Sequence, residues 1–137
     1  MEKFNRIHWD PKYTVHVEAI DLQHQKLFEI TNKLIDKYEN GSSECLETIE
    51  ELVNYLSEHF HAEQLIMMKS NYPGFQMHIK EHQSFIEKVE GFLRGYRNNE
   101  DNLTFNILTF LRDWIFSHTT SFDLKFGKHL LNSQYPK

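Results

Sequence analysis

Between residues 22 and 38 the side chains Leu22, Leu27, Phe28, Thr31, Leu34, Ile35 and Tyr38 recur every three or four positions, with charged residues between them. That period of about 3.6 is the mark of an amphipathic helix. Asp21 stands where its N-cap is expected, and "NGSS" at 40–43 stops it. Ser43 opens a second stripe, Leu46, Ile49, Leu52, Val53, Leu56, Phe60 and Met67, which "SNYPG" at 70–74 interrupts. A third carries Phe75, Ile79, Phe85, Ile86, Val89, Phe92 and Leu93 and runs to "RNNED"; a fourth carries Leu103, Ile107, Phe110, Leu111, Trp114 and Ile115. No period-two pattern of comparable length competes. Helices joined by short loops predict an all-α, antiparallel up-down-up-down four-helix bundle. Residues 1 to about 20, with Trp9 and Pro11 but no helical period, read as an irregular arm. The bundle is expected over about 21–120, and a C-terminal segment with a short helix over about 121–137, all in a single domain 1–137.

Composition alters this picture only at its edges. Eleven Phe, six Tyr and two Trp enlarge the core beyond what the 39% hydrophobic fraction suggests. A net charge of −5, with cations scattered among acids, argues against a nucleic-acid partner. Cys45 is the only cysteine, which excludes an internal disulfide and points to a reducing compartment. The N-terminal residues have no signal-peptide pattern, and no run approaches the roughly 18 apolar residues of a membrane span. A soluble, cytoplasmic protein is the expectation.

The histidines change the reading more. His59 and Glu63 are four apart, as are His78 and His82, and each pair shares one helix face. Those faces are the apolar ones. His59 continues Leu52 and Leu56, His78 and His82 lie between Phe75 and Phe85, and His118 follows Trp114 by four. His24 precedes Leu27 and Phe28 on the first stripe. Burying so many polar groups without partners costs several kcal/mol each, a cost that a shared cation removes. Asp123 joins the set only if the helix stops after His118, because a spacing of five places side chains about 140° apart. The "TTS" at 119–121 suits such a stop. His8 and His16 in the arm, His129 near the C-terminus and His61, about 200° around the helix from His59, read as peripheral.

Five imidazoles and two carboxylates are too many for one zinc. Two metals fit if Glu63 and Asp123 both bridge and an oxo or hydroxo group adds a third bridge. The five histidines must then divide three and two, which leaves one coordination position open. Imidazole with carboxylate suits iron among several metals.

The segments "AIDLQHQKLF", "HFHAEQLIM", "YPGFQMHIKEH" and "WIFSHTTSFD" match, in order, the His, HxxxE, HxxxH and HxxxxD signatures of the hemerythrin family. The chain resembles a single-domain bacteriohemerythrin over nearly its full length. The resemblance implies two non-haem irons, one held by His78, His82 and His118, the other by His24 and His59, with Glu63 and Asp123 bridging. It implies reversible dioxygen binding at the His24/His59 iron, for storage, delivery or sensing, and not an enzyme; nitric oxide or small anions are alternative occupants. Ile115 beside Trp114, and Phe60 next to His59, are expected to wall the pocket. Two positions depart from the family's pattern: His16 stands where relatives often have glycine, and Phe126 where they often have tyrosine. Competing functions on such a scaffold are a di-iron oxidase or peroxidase, an iron-donating repair protein, a nitric-oxide handler and a metal-free structural module. The oxidase type uses two Glu-x-x-His motifs, and this chain has one, at Glu58 and His61. No protein partner is legible.

Overall fold

The computed structural model describes residues 4–97 and 103–135. Four long helices, α1 (Glu18–Glu39), α2 (Cys45–Lys69), α3 (Phe75–Arg97) and α4 (Leu103–Thr120), are followed by a short α5 (Phe122–Asn132). Helix α1 packs on α2 and α4, and α3 packs on the same two, so chain neighbours are also neighbours in space. This is the up-down-up-down bundle expected of short connections. The "RNNED" stop beyond Arg97 lies outside the described residues, and so does the expected inward side chain of Leu103. Among the described residues, no helix is long and apolar enough to cross a membrane.

Helix boundaries differ from the sequence reading in instructive ways. Helix α1 begins at Glu18, three residues before Asp21, and Val17 takes the N-cap position without a side-chain cap. Asp21 instead ties down the arm: one carboxylate oxygen accepts from the Val15 N–H at 2.9 Å and the other from the Thr14 hydroxyl. An acidic group in the first turn also suits the helix dipole. Ser43 does not open α2; Glu44 is its N-cap, and the Ser42 hydroxyl accepts from the Glu44 N–H at 3.0 Å. Leu22 and Ile86, expected to face inward, are 55% and 38% exposed, whereas Ile20, Ile30 and Leu108 fill the core in addition to the expected set.

The arm is irregular apart from one 3-10 turn at Pro11–Tyr13, yet it is firmly attached. Asn32 clamps it by accepting from the Ile7 N–H at 3.0 Å and donating to the Ile7 carbonyl at 2.8 Å. Phe4, Ile7 and Val15 are buried. His16 then turns the chain into α1 with a φ of 65°, a left-handed conformation that glycine adopts more cheaply. Where the arm meets α5, Gly127 supplies the necessary room: a Cβ there would sit 2.8 Å from the Val15 Cα. We expect Gly127→Ala to push Val15 off α5 and to lower stability by about 1–3 kcal/mol, the usual range for overpacking. Thermal unfolding measures this, and an unchanged melting temperature would show that the arm does not dock there.

Candidate metal centre

All five inward histidines and both carboxylates meet in one buried layer. His24 comes from α1, His59 and Glu63 from α2, His78 and His82 from α3, His118 from α4 and Asp123 from α5. None is more than 3% exposed. The α4–α5 break expected at "TTS" is present: α4 ends at Thr120, Ser121 has φ −128° and ψ −77°, and α5 starts at Phe122. Ser121 occupies the N-cap position but makes no side-chain cap bond. The break swings Asp123 to the side of His118, which its Oδ1 approaches at 3.1 Å.

The carboxylates divide their oxygens. Asp123 Oδ2 lies 3.0 Å from His24 Nε2, and its Oδ1 lies 3.1 Å from Nε2 of both His78 and His118. Glu63 Oε2 lies 3.6 and 3.4 Å from His24 and His59, and its Oε1 lies 3.6 and 3.3 Å from His78 and His82. Two overlapping groups of donor atoms result, Glu63 with His78, His82 and His118, and His24, His59, Glu63 with Asp123, each with its atoms within 4.8 Å of one another. The Nε2 atoms of His24 and His59 are 3.1 Å apart, as are those of His118 and each of His78 and His82.

Lone pairs thus converge from every direction. All four carboxylate oxygens are buried without a hydrogen-bond partner, despite the short distances to histidine nitrogens. Those distances record proximity; the directions needed for hydrogen bonds are missing. A ring of imidazole nitrogens and carboxylate oxygens aimed at shared points has the chemistry of a cation site and fits a pair of metal ions.

Side chains behind the imidazoles hold their orientation. His59 donates from Nδ1 to Gln23 Oε1 at 2.7 Å, and the Gln64 amide lies 3.3 Å from His82 Nδ1. Phe60 stacks on His82 with ring centroids 3.8 Å apart, and Trp114 stacks on His118 at 4.3 Å. Phe60 is 6.2 Å from the His59 ring. Phe60 and Trp114 therefore sit against the three-histidine half of the layer, away from the half where a pocket wall was expected. Ile115 is buried in the main core. Gln23, Gln64 and Phe122, which also stacks on His118, escaped the sequence reading. Only Phe122, four after His118, carries a spacing signal; Gln23 meets His59 across 36 residues. His8, His16 and His61 are exposed, and His129 bonds the Ser70 carbonyl at 2.8 Å, all four outside the donor layer.

The profile of the Hemerythrin HHE cation binding domain matches residues 15–129. The chain belongs to the hemerythrin family. It is 30% identical to a bacteriohemerythrin of Clostridium acetobutylicum, over 86% of this chain and 96% of that protein. A bacteriohemerythrin of Methylococcus capsulatus is 27% identical over 85% of this chain and 89% of its own length. A myohemerythrin of Theromyzon tessulatum is 29% identical, over 86% and 88%. Of this chain's two departures from the family pattern, His16 keeps a left-handed turn without glycine. Phe126 is fully buried against Tyr72, with centroids 5.2 Å apart. Tyr72 does bring a phenol near His78, at 6.3 Å between rings. A Cβ at Gly74 would fall 2.8 Å from the Tyr72 hydroxyl, so the phenol turns back on its own loop.

Charge within the layer is tightly shared. Burial lowers the His24 pKa, but Asp123 and then Glu63 outweigh it and bring the value up to about 10. His118 rises to about 9, where burial again opposes and Asp123 prevails. Burial and the Glu63 charge push Asp123 up, yet His118 and His24 hold it below the usual carboxylate range. Glu63 is likewise held low against burial by His59, His24 and His78. The raised histidines stabilise the fold fully below their ordinary 6.5, and that contribution fades as pH climbs through about 9 and 10. The depressed carboxylates act in the opposite sense, losing theirs as pH falls below their ordinary values of 3.8 and 4.5. A cation replaces the histidine protons. The melting temperature of chelated protein should therefore fall between pH 7 and 10 while that of loaded protein holds. A gap between the two that stays constant across this range would contradict the shared-charge layer.

Proposed function

We propose that this hemerythrin-family protein binds dioxygen reversibly at a non-haem di-iron centre. The observation that carries the reading is that each carboxylate turns one oxygen to the His24/His59 side and the other to the side of His78, His82 and His118, so that two histidines gather on one side and three on the other. His78, His82 and His118 would hold one iron, His24 and His59 the second, with Glu63 and Asp123 shared. With only two histidines of its own, the second iron would keep a position open for a small ligand. When bound, the iron pair supplies the open position and the electrons that reversible dioxygen binding needs.

The chain's own residues supply the surroundings. Leu27 and Leu56, one turn from His24 and His59, are buried with Ile115 and keep water from that half. Phe60 and Trp114 fix the rings of the other half. The Tyr72 hydroxyl packs against Gly74, burial and the Asp123 charge make it a weaker acid, and Phe126 has no hydroxyl, so phenolic protons are scarce there. Water exclusion and scarce protons favour release of intact dioxygen over formation of peroxide. The oxidase alternative asks for a carboxylate-rich shell, and the Glu-x-x-His pair at Glu58 and His61 lies on the exposed face of α2. A cytoplasmic site of action accords with the lone Cys45.

Anaerobic ferrous protein is expected to develop a visible charge-transfer band on addition of dioxygen and to lose it on removal, over repeated cycles. Immediate stoichiometric peroxide with no recoverable ferrous state would make the protein an oxidase. Iron should approach about two per chain, the number the donor set satisfies. His118→Ala should lower that to about one or less through the lost ligand, while His61→Ala leaves it unchanged. Iron analysis of the purified variants decides, and the reverse pattern would overturn the ligand assignment.

A further inference from the structure

The two halves of the layer differ in what lies behind their histidines. On the two-histidine side, His59 Nδ1 donates to a neutral amide oxygen, that of Gln23. On the three-histidine side, a carboxylate stands behind His118: Glu81 Oε1 is 3.9 Å from its Nδ1. That nitrogen is buried and has no hydrogen-bond partner. Among the described residues the only ion pair of Glu81 is with His118, and its side chain is 31% exposed. Bringing the pair to hydrogen-bond length takes a movement of about 1 Å in a side chain with room to make it. His118 Nε2 already points to the donor layer, so Nδ1 carries the proton and faces Glu81.

We propose that Glu81 is a positioning residue for His118 and, through it, makes the three-histidine half the first to take up a divalent cation. The inference rests on the di-metal reading above. A carboxylate accepting from the remote N–H of a ligand imidazole fixes the ring and raises its basicity. It also places a negative charge beside a half that gains two positive ones. Gln23 orients His59 without that charge. Stacking adds to the bias, since His118 is held between Trp114 and Phe122 and His82 against Phe60, before any ion arrives.

The test is titration of chelated full-length protein with cobalt(II) under anaerobic conditions, followed by ligand-field absorption, with helix content checked in every variant. Wild type should show two separable steps. Glu81→Ala should weaken the first step about tenfold, at the lower end of what loss of such a partner costs, and leave the second within about twofold. Glu81→Gln, which keeps the shape and an acceptor, should lose less; Gln23→Ala should weaken the second step; Lys80→Ala, on the exposed neighbour, should change neither. A first step unmoved in both Glu81 variants, or both steps weakened equally, overturns the proposal while the di-metal reading stands. Uptake of a single cation by wild type would instead remove the di-metal reading, and the proposal with it.

Discussion

Two carboxylates buried among five imidazoles, with all four of their oxygens lacking hydrogen-bond partners, are the constraint to which the rest of this fold answers. Isolated buried carboxylates are costly to keep ionised, and like charges at close range are worse. Here both are held ionised by surrounding histidines, and the carboxylates in turn raise His24, His78 and His118 against burial. The arrangement is stable only as a set. It demands one or two contributions from every helix at the same height, which in turn constrains the relative translation of α1, α2, α3 and α4 and the angle at which α5 leaves.

That demand explains features that look incidental along the chain. The break at Ser121 interrupts a helix that could otherwise continue, and it does so where Asp123 must turn back toward His118. The arm reaches α5 through Val15 and needs the bare backbone of Gly127 to do so, bracing the element that carries Asp123. Asp21, one turn before His24, holds Thr14 and Val15 by its two oxygens and so couples the arm to the start of α1. A left-handed His16 is tolerated at the corner between them.

Helical periodicity exposed the bundle because the burial stripe repeats many times along each helix, so single misplacements such as Leu22 and Ile86 do not disturb it. The donor layer was legible for the same reason: a histidine in phase with leucines must face inward, and His61, out of phase, faces solvent. The broken helix at 119–121 followed from a phase conflict between His118 and Asp123. Contacts across the bundle leave no such trace. Gln23 meets His59, and Phe60 lies on His82 and not beside its chain neighbour His59, because helix rotation and side-chain rotamers decide those partners. Helix starts also moved. Asp21 and Ser43 have the chemistry of caps, but Asp21 is used by the arm and α2 begins at Cys45.

The polar layer also divides the interior. On one side lies the main core, with Leu27, Leu56, Phe60, Phe85 and Ile115; on the other, a small cluster of Met67, Phe126 and Leu130. Along α2 the order is Leu56, His59, Glu63, Met67, and along α3 it is Phe75, His78, His82, Phe85. The layer is thus a seam between two apolar volumes of very unequal size. The larger supports most of the length of four helices without help from the seam. The smaller one, with α5 and the loop after α2, joins the rest through the donor side chains and through the arm, where Val15 rests on Gly127 and Val17 on the cluster. Cation binding and cohesion of that end are therefore one energetic event: ligands that fold together bind, and binding holds the end on. Loss of the ion is expected to loosen α5 before it disturbs the far half of the bundle, where Phe4 and Ile7 of the arm keep their own contacts, since free energies of local opening follow the contacts that each part retains.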